Sequence, residues 1–136
     1  MAPGGKVYAV DKDKKALGDL RRAAKREGLR DVECIHVSEG GRLPLRAGSV
    51  DTALLYDVLH RGYHPEPTQR EHVLREIHRV LKPGGLLSFF PTHLKQYGLT
   101  FDELTYEVRD AGFRPRGESR RRLVHDGKLV RGRILS

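Results

Sequence analysis

Apolar residues recur along the chain in two periods. Between residues 70 and 81, Val73, Leu74, Ile77, Val80 and Leu81 fall at helical spacing, while Arg70, Glu71, Arg75 and Arg79 take the other face, which predicts an amphipathic helix. Lys82 suits a helix C-terminus, Pro83 cannot continue the helix, and Gly84 and Gly85 permit a sharp reversal. Residues 86–90, Leu-Leu-Ser-Phe-Phe, then read as a strand covered on both faces. A helix feeding a doubly buried strand is half of a βαβ crossover, so the pattern predicts a parallel sheet.

The remaining segments fit the same architecture. Residues 6–10 form a short β-rich run closed by Asp11, and Ala16, Leu17, Leu20, Ala23 and Ala24 then mark a helix that Asp11 or Asp13 can cap and Gly28 can end. A strand over 32–37 leads through a loop over 38–48, with three glycines and Pro44, into a third strand over 50–59. After a loop over 60–67, Thr68-Gln69-Arg70-Glu71 matches a capping box that opens the helix described first. A second capping box, Thr100-Phe101-Asp102-Glu103, starts a helix with Leu104, Val108 and Ala111 inward and Gly112 at its end. Residues 118–125 and 128–135 flank Asp126-Gly127, a dipeptide suited to a tight turn, and predict an antiparallel hairpin at the sheet edge. Residues 1–136 thus read as one α/β domain.

Composition narrows the function classes. With 136 residues, 38% of them hydrophobic, the chain can bury a real core. No apolar run approaches the ~18 residues that span a bilayer, and no secretory signal is recognised, so a cytoplasmic protein without membrane contact is expected. Cys34 is the single cysteine, lies in an apolar run, and excludes a disulfide within the chain. Of the seven histidines, His60 and His64 are four apart but separated by Gly62 and followed by Pro65, so no helical metal pair is expected. No Gly-x-Ser-x-Gly elbow is present, which disfavours a serine hydrolase. The net charge of +8 admits an anionic partner. It is spread over 12–15, 21–30 and 114–133 without interleaved aromatics, so a solvated basic surface is the first reading and nucleic acid the second.

In this order and at these spacings, the segments resemble a class I S-adenosylmethionine-dependent methyltransferase from about residue 4 to the C-terminus. Gly5-Lys6-Val7-Tyr8-Ala9-Val10-Asp11 resembles the family's second strand, whose terminal acid binds the cofactor ribose. Glu39-Gly40-Gly41-Arg42-Leu43-Pro44-Leu45 resembles the segment that contacts the adenine. Leu55-Tyr56-Asp57-Val58-Leu59-His60 resembles the end of the fourth strand, beside the methionine part of the cofactor and the substrate. Arg79-Val80-Leu81-Lys82-Pro83-Gly84-Gly85 resembles the family's turn after the helix, and Ala111-Gly112-Phe113 its usual last-helix ending.

The resemblance implies a Rossmann-like, mostly parallel sheet with S-adenosylmethionine as cofactor and a small molecule as substrate. It assigns Asp11 to the ribose, Lys12 to its flank, Glu39 and Gly40 to the adenine, Leu55 and Tyr56 to the methionine side, and Asp57 and His60 to the substrate side. Physical alternatives stand beside these roles. Asp11 could instead cap the first helix, Glu39 could be a solvated loop acid, and Tyr56 and Asp57 could simply end a strand. Lys12 departs from the apolar residue usual beside the ribose acid. His60 is a candidate base, although methyl transfer can proceed by positioning alone.

The family's central first strand and glycine-rich loop have no counterpart here, and no Gly-x-Gly occurs in the chain. Strands lie about 4.8 Å apart, so omitting a central one leaves its neighbours roughly 9 to 10 Å apart with open edges. The domain is therefore expected to be N-terminally incomplete and to self-associate or accept a strand from another chain. The rival expectation is a non-enzymatic module with this fold, binding RNA through 114–133.

Overall fold

The computed structural model describes residues 4–38, 40–56, 58, 65–90, 96, 98–125 and 128–135. They fall into two compact units, residues 1–43 and 44–136.

The first unit is one βαβ crossover. Strand β1 (Val7–Asp11) and strand β2 (Val32–His36) run parallel, with Val7 opposite Val32 and Asp11 opposite His36. Helix α1 (Lys14–Arg26) joins them and buries Leu17 and Ala24. Its start settles the choice left open by the sequence: Asp13 is the cap, its Oδ1 accepting from the amides of Lys15 at 2.8 Å and Ala16 at 3.2 Å. Its end is a Schellman motif, in which the Leu29 amide donates to Ala24 O and the Gly28 amide to Lys25 O, with Gly28 at φ 69°. Lys6 and Glu33 add an ion pair at 2.5 Å, and the hydrogen bond and charge of Glu33 raise the Lys6 pKa.

The second unit contains strand β3 (Val50–Tyr56), helix α2 (Pro67–Val80), strand β4 (Leu81–Phe90), helix α3 (Phe101–Asp110), strand β5 (Glu118–His125) and strand β6 (Lys128–Leu135). Its sheet has the order β3-β4-β6-β5. Strands β3 and β4 are parallel, while β6 runs antiparallel to both β4 and β5. The parallel sheet and the C-terminal antiparallel pair match the expectation from sequence; the turn residues Asp126 and Gly127 lie outside the described residues.

The core of this unit forms on one sheet face. Ala53, Leu55, Leu87 and Phe89 pack with Leu74 of α2 and with Leu104 and Val108 of α3. Alternation follows the pleat, so Leu54 and Tyr56 stand on the opposite face and are exposed. Along β4, by contrast, residues 87–90 are all buried, as a doubly covered strand requires.

Three details depart from the sequence reading. Helix α2 starts at Pro67, not after Thr68, and Gln69 Oε1 accepts from the Glu66 amide at 3.0 Å. Proline is favoured at a first helical position because its missing donor would have no partner there, and this moves the box upstream. Strand β4 begins directly at Leu81, and residues 82–85 form an irregularity within its pairing, since Val50 faces Leu81 but Thr52 faces Leu86. Arg70, expected on the outer helix face, is only 1% exposed. Glu107 on α3 draws it inward through bonds of 2.7 Å to both carboxylate oxygens, and Arg70 Nη1 also donates to Pro65 O at 3.2 Å.

Candidate functional site

Ligands of open α/β sheets bind outside the carboxyl ends of the strands. In the first unit that end carries Asp11. Its Oδ1 accepts from the Asp13 amide at 2.9 Å, and its backbone oxygen accepts from the Val37 amide at 3.0 Å, which fixes the strand end. Because Asp13 caps α1, Asp11 is released from that duty. Its second carboxylate oxygen takes no partner among the described residues, and the residue is exposed. Such an oxygen can accept from a vicinal diol.

Register brings a second residue here that sequence reasoning missed. His36, 25 residues from Asp11 in sequence, stands opposite it on β2. Its Nε2 lies 3.1 Å from Lys12 O, which ties the turn after β1 to the end of β2. The only sequence signal is a polar residue at the end of an apolar run. The Lys12 side chain is exposed, so this position supplies no apolar wall. After β2 the chain reverses: the Gly41 amide donates to Ser38 O at 2.9 Å, and Gly40 sits at φ 69°. A Cβ on Gly41 would lie 2.9 Å from that same oxygen, so the turn admits only glycine there without a shift. Glu39, the expected adenine contact, lies outside the described residues.

In the second unit the carboxyl ends of β3 and β4 carry Tyr56 opposite Phe90. Leu55 is 8% exposed and belongs to the helix-side core, on the sheet face opposite Tyr56. Tyr56 is exposed, and its hydroxyl lies 3.2 Å from Ser88 Oγ. Ser88, a buried polar residue inside an apolar strand, was not singled out from sequence. Asp57 and His60 lie outside the described residues. The segment before β3 is pinned to α2: Arg79 donates to Leu45 O at 2.9 Å and pairs with Glu76, whose hydrogen bond raises the Arg79 pKa. The amides of Gly48 and Ser49 donate to Arg79 O and Val80 O.

A groove of about 500 Å³ opens elsewhere, between α2 and α3, lined by Glu71, Asp102, Glu103, Tyr106 and Asp110 among others. It lies on helices rather than strand ends. Among the described residues no group of His, Cys, Asp and Glu could hold a metal ion, and no helix is long and apolar enough to cross a membrane.

Residues 1–89 match the methyltransferase domain family. Over 86 residues the chain is 35% identical to demethylmenaquinone methyltransferase of Geobacillus stearothermophilus, covering 63% of this chain and 34% of that protein. It therefore spans about a third of that relative's length. Among solved structures, a SAM-dependent methyltransferase from Methanosarcina mazei superposes with a TM-score of 0.75 at 21% identity, covering 96% of this chain and 80% of that one. A SAM-dependent methyltransferase from Aquifex aeolicus gives a TM-score of 0.73 at 24% identity, covering 98% and 70% respectively. The α/β fold with parallel strands and a family match over most of its length agree: this chain belongs to the methyltransferase domain family and has the fold of S-adenosylmethionine-dependent methyltransferases.

Proposed function

We propose that the chain carries out S-adenosylmethionine-dependent methylation of a small molecule. The observation that carries this reading is the state of Asp11. An exposed carboxylate stands at the carboxyl end of β1, held by the Asp13 amide through one oxygen and freed from helix capping. That arrangement fits a ribose, whose two hydroxyls donate to a carboxylate through charge-assisted bonds. The bound cofactor supplies an electrophilic methyl group on a sulfonium. Within this reading Asp11 orients the ribose, His36 steadies the adjoining turn through Lys12 O, and the backbone around Gly40, with Glu39, receives the adenine. Leu55 and Tyr56 stand on the methionine side, with Asp57 and His60 toward the substrate. Demethylmenaquinone, named for the curated relative, is the first acceptor to assay.

Calorimetry tests the reading without an acceptor. The wild-type chain is expected to bind S-adenosylmethionine and S-adenosylhomocysteine, and Asp11→Asn to weaken both by roughly ten- to hundredfold, the worth of bonds to a charged acceptor. Absence of binding to either ligand by the wild-type chain overturns it.

A second property is proposed on a separate observation. Among the described residues strand β3 ends its sheet, with Leu54 62% exposed, and we infer that the chain self-associates through this edge. The rival reading, an RNA-binding module using 114–133, rests on net charge.

A further inference from the structure

The side chain of Tyr56 is held at two points. Its hydroxyl is 3.2 Å from Ser88 Oγ, and its ring meets that of Phe90 edge-on, with centroids 6.2 Å apart at 64°. Ser88 is 6% exposed and Phe90 7%, so both anchors belong to the packed strand β4. Tyr56 itself remains 39% exposed. Tyr56 thus keeps an accessible part while its hydroxyl and ring each have a buried neighbour on β4. Leu54, two residues earlier on the same sheet face, extends this surface with exposed apolar area. No lysine or arginine is stacked on the Tyr56 ring among the described contacts, whereas Lys6 covers Tyr8 in the first unit at 5.1 Å.

An aromatic face attracts positive charge, the more so where apolar neighbours exclude water. The two ligands of a methyl transfer differ in this respect. S-adenosylmethionine carries a sulfonium cation; once its methyl has left, S-adenosylhomocysteine has a neutral thioether. We propose that the Tyr56 ring is a charge-reading element, one that makes the chain prefer the sulfonium over the thioether and so favours exchange of spent for fresh cofactor. Ser88 and Phe90 are its positioning residues, since they fix the ring that would otherwise rotate. The inference rests on the reading above that the methionine side lies at the carboxyl end of β3.

Paired titrations separate the two. In calorimetry on the full chain, Tyr56→Leu removes the ring but keeps an apolar strand residue, and it is expected to weaken S-adenosylmethionine by about 5- to 30-fold while changing S-adenosylhomocysteine by less than about threefold. Tyr56→Phe keeps the ring, loses the tether to Ser88, and should fall between wild type and Tyr56→Leu in the ratio of the two affinities. Circular dichroism melts confirm that each variant is folded, and Tyr56→Phe carries the test should Tyr56→Leu fail to fold. If the variants weaken both ligands equally, or neither, the charge-reading role is wrong while the cofactor reading stands. If the wild-type chain binds neither ligand, both are wrong.

Discussion

At Gly85 one methyl group decides whether the sheet closes. A Cβ there would lie 2.8 Å from Lys82 O and 3.2 Å from Asp51 O, both backbone atoms that cannot swing aside. Gly84 is constrained differently: its surroundings are open, but its φ of 75° is left-handed. The two glycines therefore perform separate tasks, close approach and chain reversal. Gly85→Ala is expected to destabilise by about 1–3 kcal/mol, as overpacking does, and Gly84→Ala by about 1–2 kcal/mol. Gly84→Asn should cost less than Gly84→Ala, because asparagine tolerates that backbone region, whereas Gly85→Asn should be worse than Gly85→Ala. Urea denaturation of the four variants checks this, and equal responses at the two positions would refute the division of tasks. From sequence both glycines were legible as a reversal. That one of them faces the Asp51 carbonyl was not, because Asp51, 34 residues earlier, reaches it only through the pairing of β3 with β4.

Among elements, the least legible contact is the one between α2 and α3. The helical periodicity placed Arg70 with the solvent-facing charges, and no local pattern links it to Glu107 across 37 residues. Yet the pair is bidentate at 2.7 Å, with the arginine side chain 1% exposed and the glutamate 20%. A charge this deep is stable only while paired. Glu107→Ala is accordingly expected to destabilise by about 3–5 kcal/mol, and Arg70→Met with Glu107→Leu to recover most of that, since an apolar pair of similar volume avoids the desolvation cost. A double-mutant cycle by chemical denaturation measures the coupling; additive effects would show that the pair is not a unit. Local signals, in contrast, were readable wherever the partner was local. The capping box at Thr100 appears as expected, with the Glu103 amide donating to Thr100 Oγ1 at 3.1 Å and Glu103 Oε2 accepting from the Thr100 amide at 2.7 Å. The hairpin strands also occupy the expected residues. The candidate site divides along the same line. Asp11 could be found as an acid closing an apolar run, whereas His36 and Ser88 are placed by register.

For the molecule as a whole, the ordering of strands carries the consequence. Among the described residues β1 pairs only with β2, and β3 only with β4. The two ends of the second unit's sheet are unlike each other. Strand β5, at one end, carries Arg120, Arg121 and Arg122 in sequence, and consecutive like charges discourage a further strand from docking. Strand β3, at the other end, has no charge or proline from Thr52 to Tyr56, and its most exposed large apolar residue is Leu54 at 62%. Lys82 meets Asp51 at 2.8 Å and neutralises the one acid near its start. An uncharged edge of this kind is a template for pairing, so the wild-type chain is expected to form dimers or larger species that grow with concentration. Leu54→Lys should shift sedimentation toward the monomer, because a cation on the edge raises the cost of bringing two such strands together. The same substitution should leave the melting temperature of dilute protein nearly unchanged, since Leu54 contributes little to the core. A wild-type monomer at the highest concentrations, or an association that Leu54→Lys leaves intact, would show that β3 is not the associating edge.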